Sequence, residues 1–113
     1  MNRSGSLKAL GALAQATRLD AFRLLVQAGP EGLAAGDLAA KLDISPPALS
    51  FHLRGLAYAR LIQARQQGRF IYYSANYAAM QSLVDFLTEN CCGGATCTPL
   101  QASSRKITAR RLG

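Results

Sequence analysis

The sequence predicts a mainly α domain with one small β-hairpin. Residues 45–56, S-P-P-A-L-S-F-H-L-R-G-L, place Leu49, Leu53 and Leu56 on one helical face. After Leu61 the apolar period falls from 3.6 to 2, and two runs of strand-forming residues flank a turn that contains a glycine. The chain has 113 residues and is 50% hydrophobic, enough for one domain around one core.

Residues 1–5 read as a frayed end. Leu7, Leu10, Leu13 and Ala14 mark a first short helix. Thr17 or the residue before it opens a second helix, with Leu19, Phe22, Leu25 and Val26 as its apolar side, and Gly29-Pro30-Glu31-Gly32 ends it. Residues 36–42 form a third helix with Leu38, Ala39 and Leu42 inward, and Asp43-Ile44-Ser45 turns the chain into the next. There Ser45 is the N-cap and Pro46 takes the first helical position, where a missing N–H costs nothing. Pro47 removes a second donor, which leaves the Ala48 N–H for the Ser45 hydroxyl. Helix, three-residue turn, helix is a helix-turn-helix.

The outer face of the second of these two helices carries Pro47, Phe51, Arg54 and Tyr58, with Ser50 on its flank. Scattered exposure on a surface helix is one explanation. The other is a recognition helix, whose N-terminal half presents side chains to base edges. His52 borders the leucine face, which favours a hydrogen-bonded structural histidine over a base contact.

Ile62, Ala64 and residues 70–74 then read as strands joined through Gln66-Gln67-Gly68-Arg69, with Gly68 available for positive φ. A hairpin directly after a helix-turn-helix makes a winged helix-turn-helix. Taken alone it is a solvated hairpin; in this position its Arg65 and Arg69 suit phosphate contacts. The expected DNA-binding set is Ser45, Pro47, Ser50, Phe51, His52, Arg54, Arg65 and Arg69. Charge agrees with it: the net charge is +7, and no acidic residue lies between Asp43 and Asp85, where Arg54, Arg60, Arg65 and Arg69 all fall.

A last helix spans residues 78–90, with Met80, Leu83, Val84, Leu87 and Cys91 in one stripe and Phe86 to the side. That stripe either closes the monomer core or, the favoured expectation, pairs with the first helix in a two-fold dimer. The expected domain is 1–97, followed by a basic tail, 98–113, with Arg105, Lys106, Arg110 and Arg111. No apolar run is long enough for a membrane span, and the N-terminal segment lacks the apolar core of a signal peptide, so no membrane partner and a cytoplasmic location are expected. No histidine neighbours a nucleophile, no carboxylates pair and no glycine-rich phosphate loop is present, so an enzyme is not expected.

All three cysteines, Cys91, Cys92 and Cys97, fall within seven residues around a Gly-Gly pair that lets the chain reverse. An odd, clustered set argues against a disulfide framework. Thiolate-only sites select thiophilic ions, and structural zinc wants a fourth ligand that the single histidine, His52, is badly placed to supply. Three converging sulfurs suit As(III) or Sb(III).

T-R-L at residues 17–19, S-P-P-A-L-S-F-H-L-R-G-L at 45–56 and G-R-F-I-Y-Y-S at 68–74 together resemble the ArsR/SmtB family of metal- and metalloid-responsive repressors. The resemblance runs from Leu7 to about Cys97. It implies a homodimer that leaves double-stranded operator DNA when an inducer binds, here As(III) or Sb(III) at Cys91, Cys92 and Cys97. Two departures stand out. Where well-known arsenic sensors of the family carry E-L-C-V-C-D-L, this chain has G-L-A-A-G-D-L at 32–38, with Ala34 and Gly36 replacing the cysteines. Zinc-sensing relatives use histidines and acids on the last helix, and this one offers Asp85 and Glu89 but no histidine. The recognition helix also has Pro46-Pro47 where relatives have polar residues, and Arg60 stands where they have a helix-ending glycine. A sensor of methylarsenite or of cadmium or lead is the alternative within the family. Outside it, the alternative is a cytosolic metalloid carrier.

Overall fold

The structure, a computed structural model, describes residues 1–94. Among these the order is α1 (Arg3–Leu13), α2 (Ala16–Ala28), β1 (Leu33–Ala34), α3 (Ala35–Leu42), α4 (Pro46–Tyr58), β2 (Ile62–Gln67), β3 (Phe70–Ala75) and α5 (Tyr77–Leu87), then a 3₁₀ turn at Cys91–Gly94. The mainly α, winged helix-turn-helix expectation holds.

Helix α2 is the hub, packed on α1, α3, α4 and β3. Its Ala21 and Leu25 are fully buried together with Leu38, Leu56 and Leu61. Burying a leucine side chain is worth about 1.5–3 kcal/mol, so these four leucines hold the three-helix centre. Tyr77 ties α5 to it: its hydroxyl donates to the Val26 carbonyl at 2.9 Å, one of the acceptors that the end of α2 leaves open.

Several boundaries differ from the sequence expectation. Residues 1–5 are not frayed, because Asn2 caps α1 by accepting from the Gly5 N–H at 2.7 Å. Leu19, expected inward, is exposed. The hairpin turn is two residues, not four, since Gln67 pairs with Phe70 and leaves only Gly68 and Arg69 between the strands. Gly68 takes φ 64° there.

A third strand was not expected. β1 pairs antiparallel with β3, giving the order β1-β3-β2 with Leu33 opposite Tyr73. Gly32 admits this pairing, with φ +76°, and a Cβ at that position would overlap the Tyr73 carbonyl.

The last helix stops at Leu87, short of Asn90. Thr88 turns its hydroxyl onto the Val84 carbonyl at 2.8 Å, and Asn90 enters the left-handed region at φ 55°. Cys91 therefore does not extend the helical stripe. Within that stripe Leu83 is buried, whereas Val84 and Leu87 are exposed. Helix α1 packs beside α5 and exposes Leu7 and Leu10.

Candidate nucleic-acid interface

Helices α3 and α4 meet at a tight corner. Asp43 ends α3 in the left-handed region, φ 55°, and the Ile44 N–H reaches back to the Ala39 carbonyl at 3.2 Å. Ser45 then starts α4 by accepting from the Ala48 N–H at 3.3 Å, the one donor that Pro46 and Pro47 leave for it. Leu49, Leu53 and Leu56 are buried, which fixes the rotation of α4 on the core. That rotation puts Pro46, Pro47, Ser50, Phe51, Arg54 and Tyr58 outward, all exposed, with Phe51 at 60%.

His52 is half-buried on the inner edge. Its Nδ1 lies 3.5 Å from Arg18 Nη1, and Arg18 Nε donates to the Ala12 carbonyl at 2.8 Å. An arginine has no acceptor, so a hydrogen bond here makes Nδ1 the acceptor and leaves the ring proton on Nε2. His52 thus links the outer helix to α2 and to the end of α1, and its ring also meets Phe51 edge-on, centroids 5.4 Å apart. Helical spacing pointed to a structural histidine but not to its partner. Arg18 belongs to the T-R-L signature, and only the packing of α2 on α4 brings it beside a residue 34 positions away.

The wing separates its two arginines. Arg69 is exposed at the tip, the second residue of the turn. Arg65 lies lower on β2, opposite Tyr72, with its guanidinium 5.3 Å from that ring's centroid. It also donates to the Glu31 carbonyl and to Gln67 Oε1, each at 3.4 Å. Arg65 therefore braces the wing against the loop before β1 as well as presenting charge. Beyond α4, Lys8 sits 5.0 Å over the Tyr58 ring and shares a groove of about 570 Å³ with Arg60 and Asn76.

At the far end of α5, the Cys91 and Cys92 sulfurs lie 3.5 Å apart. Adjacent residues on a helix diverge, but here Cys92 has φ 58° and Gly93 φ 67°, and this left-handed turn folds the pair together. Cys97 and the basic tail, 98–113, lie outside the described residues.

A family model described as a helix-turn-helix domain matches residues 13–63. The transcriptional repressor SdpR of Bacillus subtilis is 38% identical over 55 residues, which is 49% of this chain and 61% of that one. An ArsR-like transcriptional regulator from Rhodococcus sp. RHA1 has the same fold, with TM-score 0.71 and 21% identity over 93% of this chain and 96% of that one. NolR from Sinorhizobium fredii is 32% identical over 76% of this chain and 83% of its own, with TM-score 0.61. The chain belongs to the ArsR family. Within this family's frame α3 and α4 are the helix-turn-helix and β2–β3 the wing. Among the described residues no helix is long and apolar enough to cross a membrane.

Proposed function

We propose that the protein is a transcriptional repressor that binds double-stranded operator DNA as a homodimer and lets go when As(III) or Sb(III) binds Cys91, Cys92 and Cys97. Family membership and the outward, acid-free face of α4 and the wing support the DNA-binding half. Leu7 and Leu10 on α1, and Val84 and Leu87 on the α5 that packs against it, are all exposed and support the dimer, because a second copy removes such apolar surface from water.

The observation that carries the inducer is the Cys91–Cys92 pair, its sulfurs 3.5 Å apart. An ion that holds sulfur at about 2.3 Å, as zinc does, spans that gap without moving either residue far. Gly93 and Gly94 leave the chain free to bring Cys97 back as the third ligand. The described pair also suits methylarsenite, which needs only two thiols, and this is the second reading.

Release follows from where the pair is attached. The Cys91 N–H bonds to the Thr88 carbonyl at 3.0 Å, and Thr88 bonds back to Val84 on the exposed strip of α5. Closing three sulfurs on one ion pulls on this turn and so on the dimer face, which sets the spacing of the two α4 helices. The ligand shifts the equilibrium only by its differential affinity for the two forms, about 1–3 kcal/mol of coupling, and DNA weakens metalloid binding by the same factor.

The test titrates purified protein on its own promoter with arsenite, antimonite, zinc and cadmium and reads DNA release. Each single Cys→Ser variant should keep its DNA affinity and lose release by arsenite. Cys97→Ser should still answer to methylarsenite on the second reading. Undiminished arsenite release from all three variants rules out the three-sulfur site.

A further inference from the structure

We propose that Phe51 reads a thymine methyl group in the major groove, so that part of the operator's sequence is recognised through an apolar contact rather than a hydrogen bond. The inference rests on the DNA-binding reading above. The outward surface of the first two turns of α4 is poor in polar side-chain atoms. Pro46, Pro47 and Phe51 have none, and the Ser45 hydroxyl, at the cap before the first turn, accepts from the Ala48 N–H and keeps only its own O–H to offer. On the helix itself, Ser50 in these turns and Arg54 one turn further on are the outward polar side chains.

Pro47 and Phe51 are four residues apart, hence neighbours on the helix surface, and they form one exposed apolar step. The Phe51 ring is braced outward. It packs in a T-shaped pair with the His52 ring, and His52 contacts Arg18, which is anchored to the Ala12 carbonyl at 2.8 Å. A side chain 60% exposed in the N-terminal half of the helix proposed to enter the groove is positioned to touch bases.

The major groove offers one apolar feature, the C5-methyl of thymine, and phenylalanine is among the side chains that meet it. Charge selects DNA over an apolar protein partner as the occupant of this face. Arg54 is on it, the wing that follows α4 carries Arg65 and Arg69, and no acidic residue lies between Asp43 and Asp85.

The test selects duplexes from a random-sequence pool with the full-length protein, then replaces each thymine of a recovered site by deoxyuracil, which removes the methyl and nothing else. One position per half-site should lose about fourfold in affinity, the worth of one buried methyl group. F51A should lose both the preference for thymine and the sensitivity to deoxyuracil at that position, and F51L should retain part of each. R54A should keep that sensitivity while relaxing a different position. Unchanged melting temperatures show that the variants fold. Recovered DNA that is indifferent to deoxyuracil everywhere, or a sensitivity that survives in F51A, overturns this inference alone. A pool in which nothing is enriched overturns the DNA-binding reading and this inference with it.

Discussion

Arg60 occupies a backbone position better suited to glycine. It sits just past α4 at φ 64°, while its N–H bonds to Ala57 and the next, from Leu61, reaches back to Leu56 at 3.1 Å. This is the double closure that glycine usually makes at a helix end, and buried Leu56 and Leu61 supply its apolar contact. A residue with a Cβ costs roughly 1–2 kcal/mol in the left-handed region. R60G should therefore stabilise the fold by about 1 kcal/mol, measured as a higher denaturant midpoint with unchanged slope. R60A keeps the Cβ and should gain nothing. If R60A gained as much, the cause would be relief of charge repulsion, not backbone strain. The family resemblance carried the hint, since it implies a helix-ending glycine here, and the backbone angle supplies the reason.

The start of α5 depends on one amide used at both ends. Asn76 Oδ1 accepts from the Ala79 N–H at 3.1 Å, while Nδ2 donates to the Arg60 carbonyl at 3.0 Å. The same residue thus caps the helix that bears the exposed strip and pins the end of α4. N76A should cost about 1–2 kcal/mol in chemical denaturation, the upper part of the range for removing a cap. N76D keeps the capping oxygen but faces the Arg60 carbonyl with a second acceptor, so it should fall between wild type and N76A. Equal stability of N76D and wild type would show that the bond to Arg60 contributes nothing. At the other end of α5 the apolar period runs on to Cys91, whereas the helix itself yields to the Thr88 hydroxyl and the left-handed Asn90. Periodicity records which residues share a face and does not register where side-chain competition ends a helix.

For the whole molecule, the two wing arginines give DNA binding a quantitative signature. Arg69 stands exposed at the tip, whereas Arg65 is also tied to Glu31, Gln67 and Tyr72. Removing one phosphate-binding cation reduces the salt slope by roughly 1, so a dimer without either copy of Arg69 should show a slope smaller by about 2. R65A should lower the slope too and, unlike R69A, should also lower the melting temperature, because it unties the wing from the loop before β1. A salt slope unchanged in both variants would remove the wing from the interface. A slope that falls with an unchanged melting temperature in both would show that the Arg65 bonds to the loop carry no stability.

Local sequence was enough for the helix-turn-helix, its Ser45 cap, the buried leucine face of α4 and the hairpin. A cap, a helical period and a turn glycine are each read within a dozen positions. Packing between elements settles whatever depends on distant partners. β1 is two residues long and has no pattern of its own; it is a strand because β3 offers it an edge and Gly32 allows the approach. Arg18 meets His52 only because α2 packs on α4. Cys91 and Cys92 touch through a left-handed turn that no composition rule predicts, since adjacent side chains diverge in regular structure and converge only where the backbone departs from it.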